Sequence, residues 1–132
     1  MSHDGETQRF GFAFEDRYRP LLGLLGIRPG TCELTVDDDL LRVRFGRWLV
    51  LSPRRNVAGA ELSGPYSPLK GIGVRVSLAD RGLTFGSDTR QGVCIRFHRP
   101  VSGGEPLGVL RHPALTVTVE EPARLAGLLA SR

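Results

Sequence analysis

This chain of 132 residues lacks most of the features that would place it in a specialised class of protein. Its two cysteines, Cys32 and Cys94, lie far apart with no nearby histidine pair, which excludes the usual zinc spacings and a disulfide framework. No run approaches the roughly 18 apolar residues that a transmembrane helix needs. The polar start at residues 2–6 also lacks the order of a signal peptide. We therefore expect a cytoplasmic protein.

Lysine is almost absent, because Lys70 is the only lysine among 18 basic residues. The formal net charge is +4, but GC-rich coding produces such an arginine excess without selection for phosphate binding. The outward strand positions predicted for several arginines indicate a solvated face, and these are Arg42, Arg44, Arg75 and Arg96. Nucleic acid is therefore not expected as a partner, whereas peripheral contact with an anionic membrane is left open.

The motifs of common enzyme classes are also missing. The sequence contains no GxSxG motif, no HExxH motif and no phosphate-binding loop. Gly71 and Gly73 do not begin a dinucleotide-binding GxGxxG motif, because Val76 stands where the third glycine would be. Asp37–Asp39 are consecutive rather than alternate, unlike the ligands of a calcium-binding loop. Cys94 and His98 would lie about 13 Å apart along a strand, too far for a nucleophile and its base. We expect no metal or cofactor, and catalysis is the less favoured interpretation.

What the sequence does contain is alternation of apolar and polar residues with period two, the pattern of strands with one buried face. It predicts a mainly β fold, a bent antiparallel sheet or partly open barrel of about seven strands. After Pro122 the period changes, and Leu125, Leu128 and Leu129 predict a C-terminal helix over Pro122 to Ala130. The alternating segments lie at residues 10–14, 32–36, 41–45, 74–78, 83–85, 93–97 and 115–119, with further candidates at 48–51 and 56–62.

The domain organisation follows from the absence of repeats and linkers. We predict a flexible N-terminus at residues 1–7 and a single β-rich domain at residues 8–132. Between the first two predicted strands, Pro20 favours a short helical turn that places Leu21, Leu24 and Leu25 on one side. These leucines either cover one end of the barrel or form a surface for a homodimer or a partner.

The order of elements, strands followed by one amphipathic C-terminal helix, resembles the pleckstrin-homology-like (PH-like) barrel, including uncharacterised bacterial proteins of that fold. The resemblance covers about residues 8 to 131 and rests on element order rather than on a motif. It implies a binding or scaffolding module with two near-orthogonal sheets closed by the helix. Relatives that bind phosphoinositides use basic residues in the first hairpin loop. Asp37–Asp39 occupy the early hairpin turn here, which argues against that role.

Three functions are compatible with these patterns. The first is a non-enzymatic module that acts through a protein partner or through self-association. The second is a small-molecule-binding barrel whose open end is rimmed by residues 63–73 and 100–113, with Tyr66, Trp48 or Arg99 as contacts. The third is an unrecognised hydrolase. An interior filled with phenylalanine favours the first function, whereas a sizeable polar cavity favours the others.

Overall fold

The computed structural model describes residues 7–77, 79–105 and 107–130, with only the backbone of residues 69 and 70. The predicted flexibility of residues 1–7 therefore falls, except for Thr7, outside the described residues. Leu78, which we expected to continue the inward alternation of Val74, also lies outside them.

The first sheet contains four antiparallel strands in chain order: β1 (Gln8–Gly11), β2 (Cys32–Val36), β3 (Leu40–Phe45) and β4 (Trp48–Pro53). Alternation buries one face, so that Leu34 of β2 pairs with Val43 of β3 in the interior. The turn between these strands is held by Asp37, whose Oδ1 accepts the backbone N–H groups of residues 39 and 40 at 2.8 Å. Its carboxylate therefore stabilises a hairpin turn.

The second sheet contains five strands: β5 (Val57–Ser63), β6 (Gly73–Val76), β7 (Leu83–Gly86), β8 (Gly92–Val101) and β9 (His112–Val117). Their spatial order is β5-β8-β9-β7-β6. The last strand is thus inserted between β8, to which it is antiparallel, and β7, to which it is parallel.

Two features of the predicted fold require correction. The described residues form nine strands rather than about seven, because the two further candidates at residues 48–51 and 56–62 are also strands, β4 paired with β3 and β5 paired with β8. The sheets are not purely antiparallel, because β7 pairs with β9 in parallel. The described strands lie in two sheets. They meet at one corner, where Phe12 bridges Val119 and Ala13 donates its N–H to the Thr118 carbonyl at 2.9 Å.

Three helices accompany the sheets: α1 (Arg19–Leu24), α2 (Pro68–Gly71) and α3 (Pro122–Ala130). Helix α3 packs against β5 and β8, with Leu125 and Leu129 buried and Leu128 partly buried, which confirms the predicted C-terminal helix. The Arg54 guanidinium donates to the Leu128 carbonyl at 3.2 Å and so caps the last turn. No helix among the described residues has the length and apolar character needed to cross a membrane.

Aromatic rings occupy the space between the two sheets. Phe45 of the first sheet lies between Phe12 and Phe85, with ring centroids 5.1 Å away on each side. All three residues are buried. The centre of the space between the sheets is therefore packed with side chains.

Candidate binding surface around the first helix

Helix α1 and the residue that follows it, Leu25, together contain one buried leucine and three exposed ones. Leu22 is 1% exposed, whereas Leu21, Leu24 and Leu25 are 58%, 85% and 47% exposed. The helix ends at Leu24, and Gly26, two residues later, has a φ of +80° that permits the sharp turn that brings the buried Ile27 back toward the core. The three leucines that the sequence singled out are therefore all exposed.

The first groove, which we name the α1–β4 groove, lies between α1 and strand β4 and has a volume of about 610 Å³. Leu24 and Leu25 form one wall, and Trp48 and Leu49 form the other. The remaining lining residues are Arg47, Gly103 and Glu105. This groove is predominantly apolar, and it contains the only tryptophan of the chain.

Backbone contacts fix the walls of this groove. The two-residue turn between β3 and β4 begins at Gly46, whose N–H donates to the Thr31 carbonyl at 3.0 Å. Thr31 in turn donates its hydroxyl to the Gly26 carbonyl at the end of α1, at 2.8 Å. A Cβ at Gly46 would lie 3.0 Å from Ile27 Cγ1, and its φ of +63° also favours glycine. The groove is therefore preformed by the fold.

The loop after β8 supplies the end of the same groove. Gly103 packs so closely against β4 that a Cβ there would lie 2.6 Å from the Leu49 carbonyl oxygen. Its φ of +143° is a second reason for glycine at this position. Farther along the loop Leu107, Val109 and Leu110 are exposed.

A second groove, the α1–β6 groove, lies on the other side of α1 and has a volume of about 420 Å³. Leu25 lines both grooves and therefore forms a ridge between them. Arg75 donates its Nε–H to the Ile72 carbonyl at 2.8 Å, which holds its guanidinium beside the apolar wall. The other lining residues are Tyr18, Leu21, Leu22, Pro68, Gly73 and Val74. We call the exposed leucines of α1 together with the two grooves the α1 surface.

Four of the exposed large apolar side chains among the described residues line the two grooves: Leu24, Leu25 and Leu49 line the α1–β4 groove, and Leu21 and Leu25 line the α1–β6 groove. The others line neither groove, and these are Leu40, Leu51, Leu62, Leu107, Val109 and Leu110. Isolated exposed leucines are ordinary on protein surfaces, whereas contiguous apolar patches mark interaction sites. The α1 surface is therefore the strongest candidate for a binding site.

Two residues that the sequence suggested as contacts lie elsewhere. Tyr66 is half-buried, its hydroxyl forms a hydrogen bond with that of Ser63, and burial raises its pKa. Arg99 has an exposed side chain, while its backbone exchanges two hydrogen bonds with the Asn56 amide at 2.9 and 3.0 Å. Neither lines the α1–β4 or the α1–β6 groove. Trp48, the third suggested contact, does line the α1–β4 groove.

A polar cluster at the corner between the sheets is a second candidate, and its groups are occupied. Ser87 donates its hydroxyl to the Ala13 carbonyl at 2.6 Å, and Arg90 lowers the pKa of the buried Asp88 by hydrogen bonding. The Thr89 hydroxyl similarly lowers the pKa of Glu15. Because these groups bind one another, the cluster ties the first sheet to the second rather than presenting a nucleophile.

Among the described residues, no group of three or more histidine, cysteine, aspartate or glutamate side chains could hold a metal ion. Cys32 is buried, and burial raises the pKa of its thiol, as expected for a small residue of the core. Cys94 is half-buried on β8, separated from His98 by three residues of the same strand.

The sequence did not single out Arg47, Leu49, Gly103 or Glu105 as site residues. Residues 48–51 are nearly all apolar, so alternation does not indicate which of them face outward. Comparisons with protein families, with curated proteins and with solved structures find no match.

Proposed function

We propose that this chain is a non-enzymatic binding module that holds a protein partner on the α1 surface. The observation that carries the proposal is the exposure of Leu21, Leu24 and Leu25 on a helix whose fourth leucine is fully buried. One buried leucine anchors the helix, so the other three are available for contacts outside the chain.

The energy available from such contacts is substantial. Burying one leucine side chain contributes about 1.5–3 kcal/mol, and three leucines on one turn of helix lie close enough to enter the same interface. The two grooves beside α1 would receive side chains from the partner in return. Ridge and grooves together give the shape that a specific protein interface requires.

We also infer that the architecture is PH-like. The inference is supported by two packed sheets, by the short N-terminal strands and by a C-terminal helix that covers part of the second sheet. The parallel pairing of β7 with β9 and the inserted helix α1 depart from the simple version of that barrel. A binding role is the function that this resemblance favours.

A small apolar ligand is the alternative occupant, and the volume of the α1–β4 groove favours it. Ligand pockets are typically about 300–1,000 Å³, and this groove holds about 610 Å³ beside Trp48. A site inside the barrel is less favoured, because Phe12, Phe45 and Phe85 occupy the space between the sheets. Both occupants would use the same exposed side of α1.

The proposal is tested by selecting binders from a random peptide library displayed on phage, with the full chain as bait. We expect the selected peptides to bind the native chain and to lose at least about tenfold in affinity for the double variant Leu21→Ser/Leu24→Ser. The matched control is Leu62→Ser, which removes an exposed leucine that lines neither groove. That variant should bind the peptides normally.

Peptides that bind the double variant as well as the native chain would contradict the proposal. Sedimentation velocity over a range of concentrations identifies a second copy as the partner if association disappears in the double variant alone. A small-molecule screen read by Trp48 fluorescence covers the alternative, because a ligand in the α1–β4 groove must contact this indole.

A further inference from the structure

Arg47 is an unpaired cation beside an apolar wall. It is the second residue of the tight turn between β3 and β4, and it lines the α1–β4 groove. The turn is anchored from both sides, since Gly46 donates to the Thr31 carbonyl and Arg44 donates to the Gly46 carbonyl at 3.1 Å. Within the described part of the chain no carboxylate lies within 4.0 Å of the Arg47 guanidinium.

The one acidic residue of the same groove is committed to its own loop. Glu105 accepts the Val109 N–H at 2.8 Å through Oε1, which holds its carboxylate in the loop, and it forms no ion pair with Arg47. The described lining of the groove therefore combines apolar walls with a guanidinium that no carboxylate contacts, although Glu105 keeps its negative charge at the end of the same groove. The complementary ligand has aliphatic side chains next to a carboxylate.

The loop that packs against the edge of strand β4 restricts how such a ligand can bind. An added strand would need the free backbone edge of β4, but Gly103 lies against the Leu49 carbonyl and covers this position. Recognition in the groove therefore depends on side chains. Among the common modes of peptide recognition, an amphipathic helix laid into an apolar groove meets this requirement.

Charge disfavours a second copy of the chain as the occupant. The formal net charge is +4, and each of the two grooves carries an arginine, Arg47 in one and Arg75 in the other. A two-fold symmetric dimer through the α1 surface would bring these like charges together across the interface. A partner of opposite charge avoids the repulsion.

We propose that the α1–β4 groove binds an acidic amphipathic helix of a partner protein, with leucine-like side chains between Leu24 and Trp48 and a carboxylate on Arg47. This assignment rests on the proposed binding function and adds the charge of the partner. On this proposal the apolar contacts supply affinity, and Arg47 selects acidic helices over basic ones.

The experiment repeats the peptide selection with two baits, the native chain and the variant Arg47→Glu. Peptides selected on the native chain should be enriched in glutamate and aspartate beside aliphatic residues. Those selected on Arg47→Glu should be enriched in lysine and arginine instead. Arg55→Glu is the matched control, because it reverses the charge of an exposed arginine that lines neither groove.

Affinities are then measured by Trp48 fluorescence with one selected peptide and its Glu→Gln and Glu→Lys versions. On the native chain we expect the Glu→Lys peptide to bind at least about threefold more weakly, and on Arg47→Glu we expect the order to reverse. The preference should also weaken in high salt. Such a reversal identifies Arg47 as the residue that selects the charge.

The outcomes separate the two proposals. Peptides that depend on Leu24 but show no charge preference would overturn the acidic helix and leave the binding function standing. Peptides that ignore both Leu24 and Arg47 would contradict both proposals. Self-association that requires Leu24 and is unaffected by Arg47→Glu would replace the acidic partner with a second copy.

Discussion

Helices α1 and α3 look alike in sequence and serve opposite purposes in the structure. Each has proline in its first turn, several leucines and one internal glycine. Yet α3 buries Leu125 and Leu129 completely, whereas α1 buries Leu22 and directs its other leucines outward. The comparison shows that a leucine-rich helix is not by itself a sign of a core element.

The difference arises from what lies beneath each helix. Helix α3 runs across β5 and β8 and is capped by Arg54, so both of its buried turns rest on the sheet. Helix α1 has six residues and reverses at Gly26, so only one turn reaches the core. Contact with a sheet thus decides whether leucines stabilise the fold or remain available for binding.

The largest effect that this comparison predicts is the loss of α3 packing. Leu125→Ala and Leu129→Ala should each lower the free energy of unfolding by about 2–5 kcal/mol, because each removes a fully buried side chain. Together they approach the 5–15 kcal/mol or so that a domain usually possesses. Denaturant unfolding measures the change, with Ala123→Ser on the exposed face as control. Unchanged stability of the double variant would show that α3 is peripheral and end the contrast with α1.

An intermediate effect distinguishes two leucines of α1 itself. Leu22→Ala should lower the free energy of unfolding by about 2–5 kcal/mol, whereas Leu24→Ala should change it by no more than about 0.5 kcal/mol. The reason is that Leu22 is buried and Leu24 is the most exposed leucine of α1. Thermal unfolding of the two variants makes the comparison directly. Equal losses would mean that Leu24 is part of the core in solution, and the proposed surface would be wrong.

The smallest predicted effect is on how the free energy of unfolding depends on pH in the acid range. Arg90 lowers the pKa of Asp88, and the Thr89 hydroxyl lowers that of Glu15, so both carboxylates stabilise the fold above their unfolded pKa values of about 4. This contribution is lost as the pH falls through about 4 toward the lower folded pKa values. Asp88→Asn should therefore destabilise the protein by about 1–3 kcal/mol at neutral pH and make unfolding less dependent on pH in the acid range.

The matched control for Asp88→Asn is Asp16→Asn, because Asp16 forms an exposed ion pair at 3.0 Å with Arg19, the first residue of α1. Surface ion pairs contribute little, so this variant should follow the native pH profile. If Asp88→Asn and Asp16→Asn changed the stability equally, the buried carboxylate at the corner between the sheets would contribute no more than an exposed one beside α1, and the prediction would be wrong.

Much of this fold could be predicted from the sequence, because period-two alternation identifies strands with one buried face, such as those that contain Leu34 and Val43. The change of period at Pro122 likewise identified α3. Which strands become neighbours could not be predicted, since the pairing of Leu83 with Leu115 in parallel depends on the path of a long irregular loop. The count of strands was too low because the segments at residues 48–51 and 56–62 lack a clear alternation, and they became β4 and β5 by pairing with β3 and β8.

The candidate site was predictable only in part. Leu21, Leu24 and Leu25 were identified as candidates, but the sequence left open whether they cover the barrel or face outward. Arg47 and Gly103 come from distant parts of the chain and meet only after β4 and the loop following β8 have packed together. No pattern in the local sequence indicates that these residues lie together. Tyr66 and Arg99, which were suggested as contacts at the open end of the barrel, lie outside both grooves.

The insertion of β9 between β7 and β8 has a consequence for the order of folding. Residues 8–53 form a sheet in which every strand pairs with its neighbour in the sequence, so this sheet can form before the strands that follow it are made. The second sheet must wait, because its central strand, β9, is synthesised after the other four strands of that sheet. Until β9 is made, β7 and β8 each lack one neighbour, so their exposed edges are the part of the incomplete chain most open to pairing with other chains.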